Sequence, residues 1–418
     1  MEDVCIVSAV RTPIGAYLGA LREVPAYDLV ALVLNEVVKK AKVDPVKVDE
    51  VIIGQCYQSG EYVNIARMGL LTAGWPVTVP GITLDRRCTS GLDAVIIGAM
   101  QIQTGASEIV VAGGVESMSN AEFYIPGSIK WGIGRGSGIS FPDAPRGHGS
   151  LQMFGIPIYD RIQRSRPNHQ PQSRFGTLVS NMAWAEKVAK ELNISREECD
   201  KWALRSHQRA IAAIDAGKFK DYIVPVPIPQ EKGPPKMVET DEGPRRDTSL
   251  EALARLRPVL DGVCTAGNSS QENDAAAVFV LTTTAKAKEL GVEPMAYLKS
   301  WAKAADDPWN PPKAGTKAFK LALEKAKLTV RDIDLFEIQE AFAAQCLYNI
   351  KTLGVPEELY DRINVNGSGI SLGHPLGATL ALRLCGLAHE LKKRSARYGL
   401  VGTPGAGAIS VAAVFERR

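Results

Sequence analysis

The chain has 418 residues, 45% apolar and 23% charged, with 38 glycines and a formal net charge of +3. That length and apolar content allow a large core, in two or three domains or one duplicated unit, and fit an α/β enzyme better than a disordered or fibrous chain. The near balance of charge argues against dedicated nucleic-acid binding but leaves room for a local basic patch that meets phosphates. The seven cysteines show no CxxC spacing, so reduced thiols and a cytosol-like compartment are expected. The five histidines show no HExxH spacing, so no metal site is expected. The opening MEDVCIVSAVRTPIG does not read as a targeting peptide, and no apolar window is long enough to span a bilayer.

In chain order, residues 4–10 form an apolar run suited to a buried strand, and 27–41 have helical spacing. Residues 51–54 read as a strand, 65–73 as a short helix and 81–84 as a strand. A helix apolar on nearly every face follows, then a strand from 108 into the glycines at 113 and 114. This alternation predicts a parallel sheet covered on both faces. From 119 to 177 periodicity fades and Gly, Pro, Ser and Arg dominate, as in KWGIGRGSG and DRIQRSRPNHQPQSRFG, which suits a lid or binding element. A helix is predicted over 179–192. A second follows over 196–216, opened by a capping box from Ser195 to Glu198 and ended at Gly217. The VPVPIP run from Val224 is extended, at a sheet edge. Alternation then resumes: strands at 275–282, 297–304, 333–338 and 363–365, helices at 284–290, 316–326, 341–353 and 376–394, and two strands around a glycine turn in 398–415. The two ends share an element order, which points to a duplicated unit with an insertion.

The stretch LDRRCTSGLDAVIIGAMQIQ, 84–103, organises the rest. A helix apolar all round is a buried helix. Thr89 and Ser90 suit its start, and Gly91 permits close approach. Free N–H groups at that end would point at the Cys88 sulfur and lower its pKa, making a nucleophile. The alternative is an inert buried cysteine.

Six stretches together resemble the thiolases, the acetyl-CoA acetyltransferases and 3-ketoacyl-CoA thiolases, over essentially the whole chain. They are VCIVSAVRTPIGAYLGAL, RRCTSGLDAV, GGVESMSN, LRPVLDGVCTAGNSSQENDAA, IDLFEIQEAFAAQ and NVNGSGISLGHPLGATLALR. The resemblance implies a duplicated, five-layered α/β/α/β/α fold with an inserted loop domain. Residues 1–121 with 256–291 would form one half, 292–418 the other, and 122–255 the insertion, which would bind substrate and make oligomer contacts. It implies a homodimer or homotetramer that uses coenzyme A as substrate and needs no cofactor. Cys88 would be the acylated nucleophile, His374 would activate it, and the Cys88 N–H would form half of an oxyanion hole. Ser270 falls where the family contacts the pantetheine arm, and Glu116 is a supporting carboxylate. Arg161, Arg164, Arg166 and Arg174 could meet the phosphates of CoA, or simply be solvated.

The sequence also departs from the pattern. The family's second cysteine, an acid/base in a C-terminal CxGGGxG turn, aligns with Pro404, which has no proton to give. Gln339 stands for the asparagine that orders a water, and Ala406 for a glycine whose N–H meets the acyl oxygen. Asp85 replaces a usual asparagine, and Asn181-Met182 the usual methionine–glycine pair. The acylation half, Cys88 with His374, is intact; the carbanion half lacks its proton carrier, for which Glu116 or Glu340 are candidates. The function expected is a thiolase that cleaves or forms a 3-oxoacyl-CoA, with an unusual substrate. The alternatives are a decarboxylative condensing or other acyl-transfer enzyme on this scaffold and a non-catalytic acyl-CoA-binding subunit.

Overall fold

The computed structural model describes residues 3–126, 150–153, 156–178 and 180–418. The first run of core elements is β1 (Val4–Arg11), α1 (Ala26–Lys40), β2 (Glu50–Gly54), α2 (Ile65–Thr72), β3 (Gly81–Leu84), α3 (Ser90–Gln103) and β4 (Val110–Ser117). It is completed, after the long middle segment, by β5 (Asn273–Thr283). The second run is β6 (Ala296–Ala305), α4 (Pro311–Ala326), β7 (Leu335–Ile338), α5 (Ala343–Leu353), α6 (Thr379–Arg394), β8 (Tyr398–Gly405) and β9 (Ile409–Glu416).

The strands join into one sheet in the order β7-β8-β9-β6-β1-β5-β4-β2-β3. Read outward from the middle, each side is the same arrangement. β5 lies antiparallel to β1 and β4, and β9 antiparallel to β6 and β8. Further out, the β2–β4 and β7–β8 pairs are parallel. The sides meet where Cys5 pairs with Tyr297 and Ile6 with Ala296. The sheet is therefore mixed, not parallel as the alternation predicted. The chain passes from β8 to β9 by a tight turn, and a direct return makes antiparallel neighbours. The predicted strand at 363–365 is reduced to a bridge between Ile363 and Phe336, because Asn364 takes a left-handed φ of +50°.

Side chains alternate between two buried faces. On β5, Ala275, Ala277, Phe279 and Leu281 face a central cluster with α3 and α6, while Ala276, Val278 and Val280 face α1 and α2. On β9, Val411, Ala413 and Phe415 face the same centre, while Ala412 and Val414 face α4 and α5. The layers run helix, sheet, helix, sheet, helix. This explains why α3 is apolar all round: sheet lies on either side and α6 beside it. Leu92, Val95, Ile96 and Ile102 are at most 1% exposed, and each contributes about 1.5–3 kcal/mol by burial.

The middle segment holds small elements where little structure was expected. Phe123–Tyr124, Ser150–Met153 and Ile156–Asp160 form a three-stranded ribbon. The KWGIGRGSG stretch of the expected lid lies outside the described residues. The helix predicted from 179 is Met182–Glu191, and Val179 is also outside the described residues. The capping box from Ser195 to Glu198 opens the helix Arg196–Asp215 as expected. Among the described residues the strand Val226–Ile228 pairs with Lys236–Val238, and just before it the Val224 N–H donates to the Arg11 carbonyl at the end of β1. Among the described residues no helix is long and apolar enough to cross a membrane.

Candidate active site

The turn after β3 builds the first half of the site. Asp85 Oδ1 accepts the Arg87 N–H at 2.7 Å and holds Arg87 at a left-handed φ of +51°. Ser90 Oγ accepts the Arg86 N–H at 2.7 Å and donates to the Arg87 carbonyl. The chain is thus folded back before the helix, and α3 begins at Ser90 with Thr89 at its cap, two residues after Cys88. The Ala406 N–H, in the turn between β8 and β9, lies near the Cys88 sulfur and favours its thiolate.

The expected lowering of the thiol pKa is not found. Burial pushes the Cys88 thiol up to about 11, outweighing the Ala406 N–H and the Arg87 charge. The resting sulfur is a protonated thiol that needs a base at the moment of attack. Alkylation of Cys88 in the free enzyme by iodoacetamide should accordingly rise about tenfold per pH unit from 7 to 10, following the thiolate fraction. A plateau beginning below pH 7 would show a preformed thiolate instead.

His374 comes from the loop before α6. Its N–H donates to Asn273 Oδ1 at 2.8 Å, which fixes the loop against the start of β5. Its Nδ1 lies 2.7 Å from Thr379 Oγ1, and that hydroxyl donates to the Pro375 carbonyl at 3.0 Å. With the hydroxyl hydrogen so committed, Nδ1 is the donor and carries the ring proton, leaving Nε2 as a bare acceptor. Burial, then the Arg383 charge, pushes the imidazolium down to about 3, so the ring is neutral and fit to take a thiol proton.

Small residues and one carboxylate bring these loops together. A Cβ on Gly114 would lie 2.2 Å from the Gly377 carbonyl oxygen, and one on Gly91 2.9 Å from the same atom. Only glycine permits that approach of the His374 loop to α3 and β4. Glu116, fully buried, accepts N–H bonds from Cys56 (3.0 Å), Tyr57 (3.0 Å) and Gly377 (2.8 Å). It ties the His374 loop to the chain after β2. Burial raises this carboxyl to about 7 despite those three donors. Its folded pKa lies above the unfolded value, so its contribution to stability falls as pH rises from about 4.5 to about 7. Glu116→Gln should lower stability by about 1–3 kcal/mol, because an amide N–H then faces a backbone N–H. It should also flatten that pH dependence; denaturant unfolding at pH 5 and pH 8 measures both.

Cys88 and His374 line one cavity of about 160 Å³, together with Ser270, Pro404 and Ala406. Five of the expected site residues therefore meet. Pro404 lies in β8 opposite Ser410, its ring packed towards Gly315, and offers no titratable group. Glu116, Gln339 and Glu340 stand behind the wall. Gln339 is fully buried: its Oε1 accepts from Arg383 Nε at 2.9 Å, and its Nε2 has no partner among the described residues. Gln339 is not among the residues lining the cavity, and its Oε1 is taken by the Arg383 guanidinium. Arg383 also donates to the Gly373 carbonyl at 2.7 Å, so this pair braces the His374 loop. The Glu340 carboxylate accepts from Trp202, Asn364 and Ser206 at 3.0, 2.9 and 2.6 Å. So occupied, it does not reach the cavity as a proton carrier; nor does Glu116.

Of the four arginines, Arg161 pairs with Glu122 and Arg166 with Glu272, while Arg164 and Arg174 lie over the rings of Tyr159 and Phe175. Asn273, Thr379 and Arg383, which position His374, were not singled out from the sequence. All three fall inside stretches quoted above, but their partners are distant or depend on the loop's conformation. His169, on the cavity wall, was also missed. The seven cysteines are free and buried, and no cluster among the described residues could hold a metal ion.

The family models for the N-terminal and C-terminal domains of thiolase match residues 4–285 and 292–417. The chain belongs to the thiolase family. This thiolase is 41% identical to an acetyl-CoA acetyltransferase of Cupriavidus necator, with all of both chains covered. It is also 41% identical to one of Chromobacterium violaceum, over 99% of this chain and all of that one. Among solved structures, a Bacillus anthracis acetyl-CoA acetyltransferase superposes with a TM-score of 0.87 at 40% identity, covering 100% of this chain and 99% of that one. A human mitochondrial 3-ketoacyl-CoA thiolase superposes with a TM-score of 0.86 at 32% identity, covering 99% and 98%. The protein is an acyltransferase with the α/β thiolase fold.

Proposed function

We propose that this thiolase cleaves or forms a 3-oxoacyl-CoA through an acyl group carried on Cys88, with His374 as the base that makes the sulfur nucleophilic. The observation that carries the reading is the pairing, on one cavity, of a protonated thiol with a neutral imidazole whose Nε2 is bare. Nε2 takes the thiol proton as sulfur attacks the carbonyl, and returns it to the departing group. The N–H groups of Cys88 and Ala406 are the donors for the oxyanion that forms. Glu116, and Gln339 with Arg383, act through the loops they brace. Ser270 meets the pantetheine arm.

The domain reading is 1–121 with 256–291 and 292–418 as the two halves around an insertion at 122–255, supported by the repeated strand order and by the pairing of Ser117 with Asp274 across the insertion. CoA enters as a substrate, and thiol–thioester exchange requires no redox or metal cofactor. A homodimer or homotetramer is supported by the open edge of the sheet at β3, where Ile82 is exposed, beside exposed Val63 and Val77. The free thiols support work in a reducing, cytosol-like compartment.

The test is a panel of 3-oxoacyl-CoA esters with CoA, following loss of enolate absorbance and product masses. Acetyl-CoA and a shortened acyl-CoA are expected. Release of CO₂ from malonyl-CoA with no thiolysis of any ester would replace this reading with a decarboxylative one.

A further inference from the structure

Forming a C–C bond beside a thioester carbonyl takes a proton off carbon, and breaking that bond puts one back. The Cys88–His374 pair is committed to the thioester step, and Pro404 supplies nothing. The other titratable side chains described on the cavity wall are Tyr57, Arg87, Arg166, His169 and Glu272. The Tyr57 hydroxyl is 3.0 Å from Ser165 Oγ, and burial holds the phenol well above its ordinary value. Glu272 is paired with Arg166. The Arg87 guanidinium does not give up its proton near neutral pH.

His169 remains. Neither of its buried ring nitrogens makes a well-formed hydrogen bond among the described residues; Asn181, whose Oδ1 is likewise unmatched, is close enough only to favour the imidazolium weakly, less than burial and Arg87 oppose it. A buried imidazole with two idle nitrogens is costly and calls for an explanation. Its place is fixed by backbone. A Cβ built on Gly407 would lie 3.2 Å from the His169 carbonyl oxygen and 3.9 Å from its Cβ. This sets His169 against the turn that carries Ala406, which shares the cavity wall with Cys88.

We propose that His169 is a second catalytic base, the group that carries the proton to and from the α-carbon of the CoA substrate. The inference rests on the acyl-transfer reading above. In the condensing direction a ring nitrogen of His169 takes a proton from the methyl carbon of acetyl-CoA. The C–H electron pair becomes the enolate, which attacks the carbonyl of acyl-Cys88. The C–S bond breaks, Cys88 leaves as thiolate, and that thiolate recovers a proton through His374. The proton on His169 passes to solvent. Cleavage is the reverse, with the His169 imidazolium protonating the enolate carbon. Burial and the Arg87 charge push the imidazole down to about 4, so the free enzyme presents the accepting form.

Two assays on the full-length enzyme separate the steps. Exchange of isotope-labelled CoA into acetyl-CoA needs only Cys88 and His374; uptake of deuterium from D₂O into the methyl group of acetyl-CoA needs the carbon base. His169→Gln should lower deuterium uptake by about 10²–10⁴-fold, with CoA exchange held within about threefold. In His169→Ala, added imidazole should restore part of the deuterium uptake. Unchanged uptake in His169→Gln overturns the proposal, as does an equal fall in both exchanges without rescue in His169→Ala. Wild-type enzyme that fails to exchange CoA defeats the acyl-transfer reading itself, and that failure is seen before any His169 variant is measured.

Discussion

Cys88→Ala should take up no acyl group from acetyl-CoA, with no gain in mass on the intact chain. Thiolysis should fall by on the order of 10⁴-fold or more, because loss of the nucleophile removes a covalent path that no neighbour replaces. The fold should survive. The side chain lies at a cavity wall, 8% exposed, and deleting one buried group of this size costs about 1 kcal/mol. A mass gain on the variant would place the acyl group on another side chain and sink the assignment of Cys88.

His374→Ala should lower CoA exchange and thiolysis by about the same factor, 10²–10⁴-fold or about 3–5 kcal/mol, because both reactions begin with attack by the same sulfur. A common loss distinguishes His374 from a residue that serves the carbon acid alone. The pH profiles add a sign. In the wild type the neutral imidazole is the active form, and with the imidazolium pushed down to about 3, kcat/KM should show no acid limb down to pH 5. In the variant the sulfur has lost its own base, so activity should climb about tenfold per pH unit towards the thiol value near 11. An acid limb in the wild type centred near 6.5 would mean a solvated ring and would contradict the burial that pushes the imidazolium down.

Much of the core was legible because its periodicity is strong. The apolar circumference of α3 demanded burial on all sides, and the sheets on either side supply it. The start of that helix was legible too, since Thr89 caps it and Ser90 opens it, but the turn before it was not: a left-handed Arg87 that Asp85 supports sets the place of Cys88. The effect on the thiol was misread in sign. A sequence shows which groups stand beside a sulfur, but here desolvation outweighs them, and that depends on the whole surrounding core. Strand direction was not legible either, because β5 pairs with a strand on the far side of the insertion. Helix α4 starts at Pro311, five residues before the first apolar-periodic position, and its proline pair was the available signal. His169 had no local signal at all. RSRPNHQPQSR reads as solvated loop, and only the approach to Gly407 brings its ring to the cavity.

The close seating of Gly377 on Gly91 and Gly114 has a consequence for how the protein is made. The thiol comes from the first half of the chain and its base from the last fifty residues, and they meet only after those glycines have docked. A ribosome-bound, partly emerged molecule thus carries a sulfur with no partner to awaken it. Fragments cut between the halves should therefore be inert alone and regain turnover only when mixed.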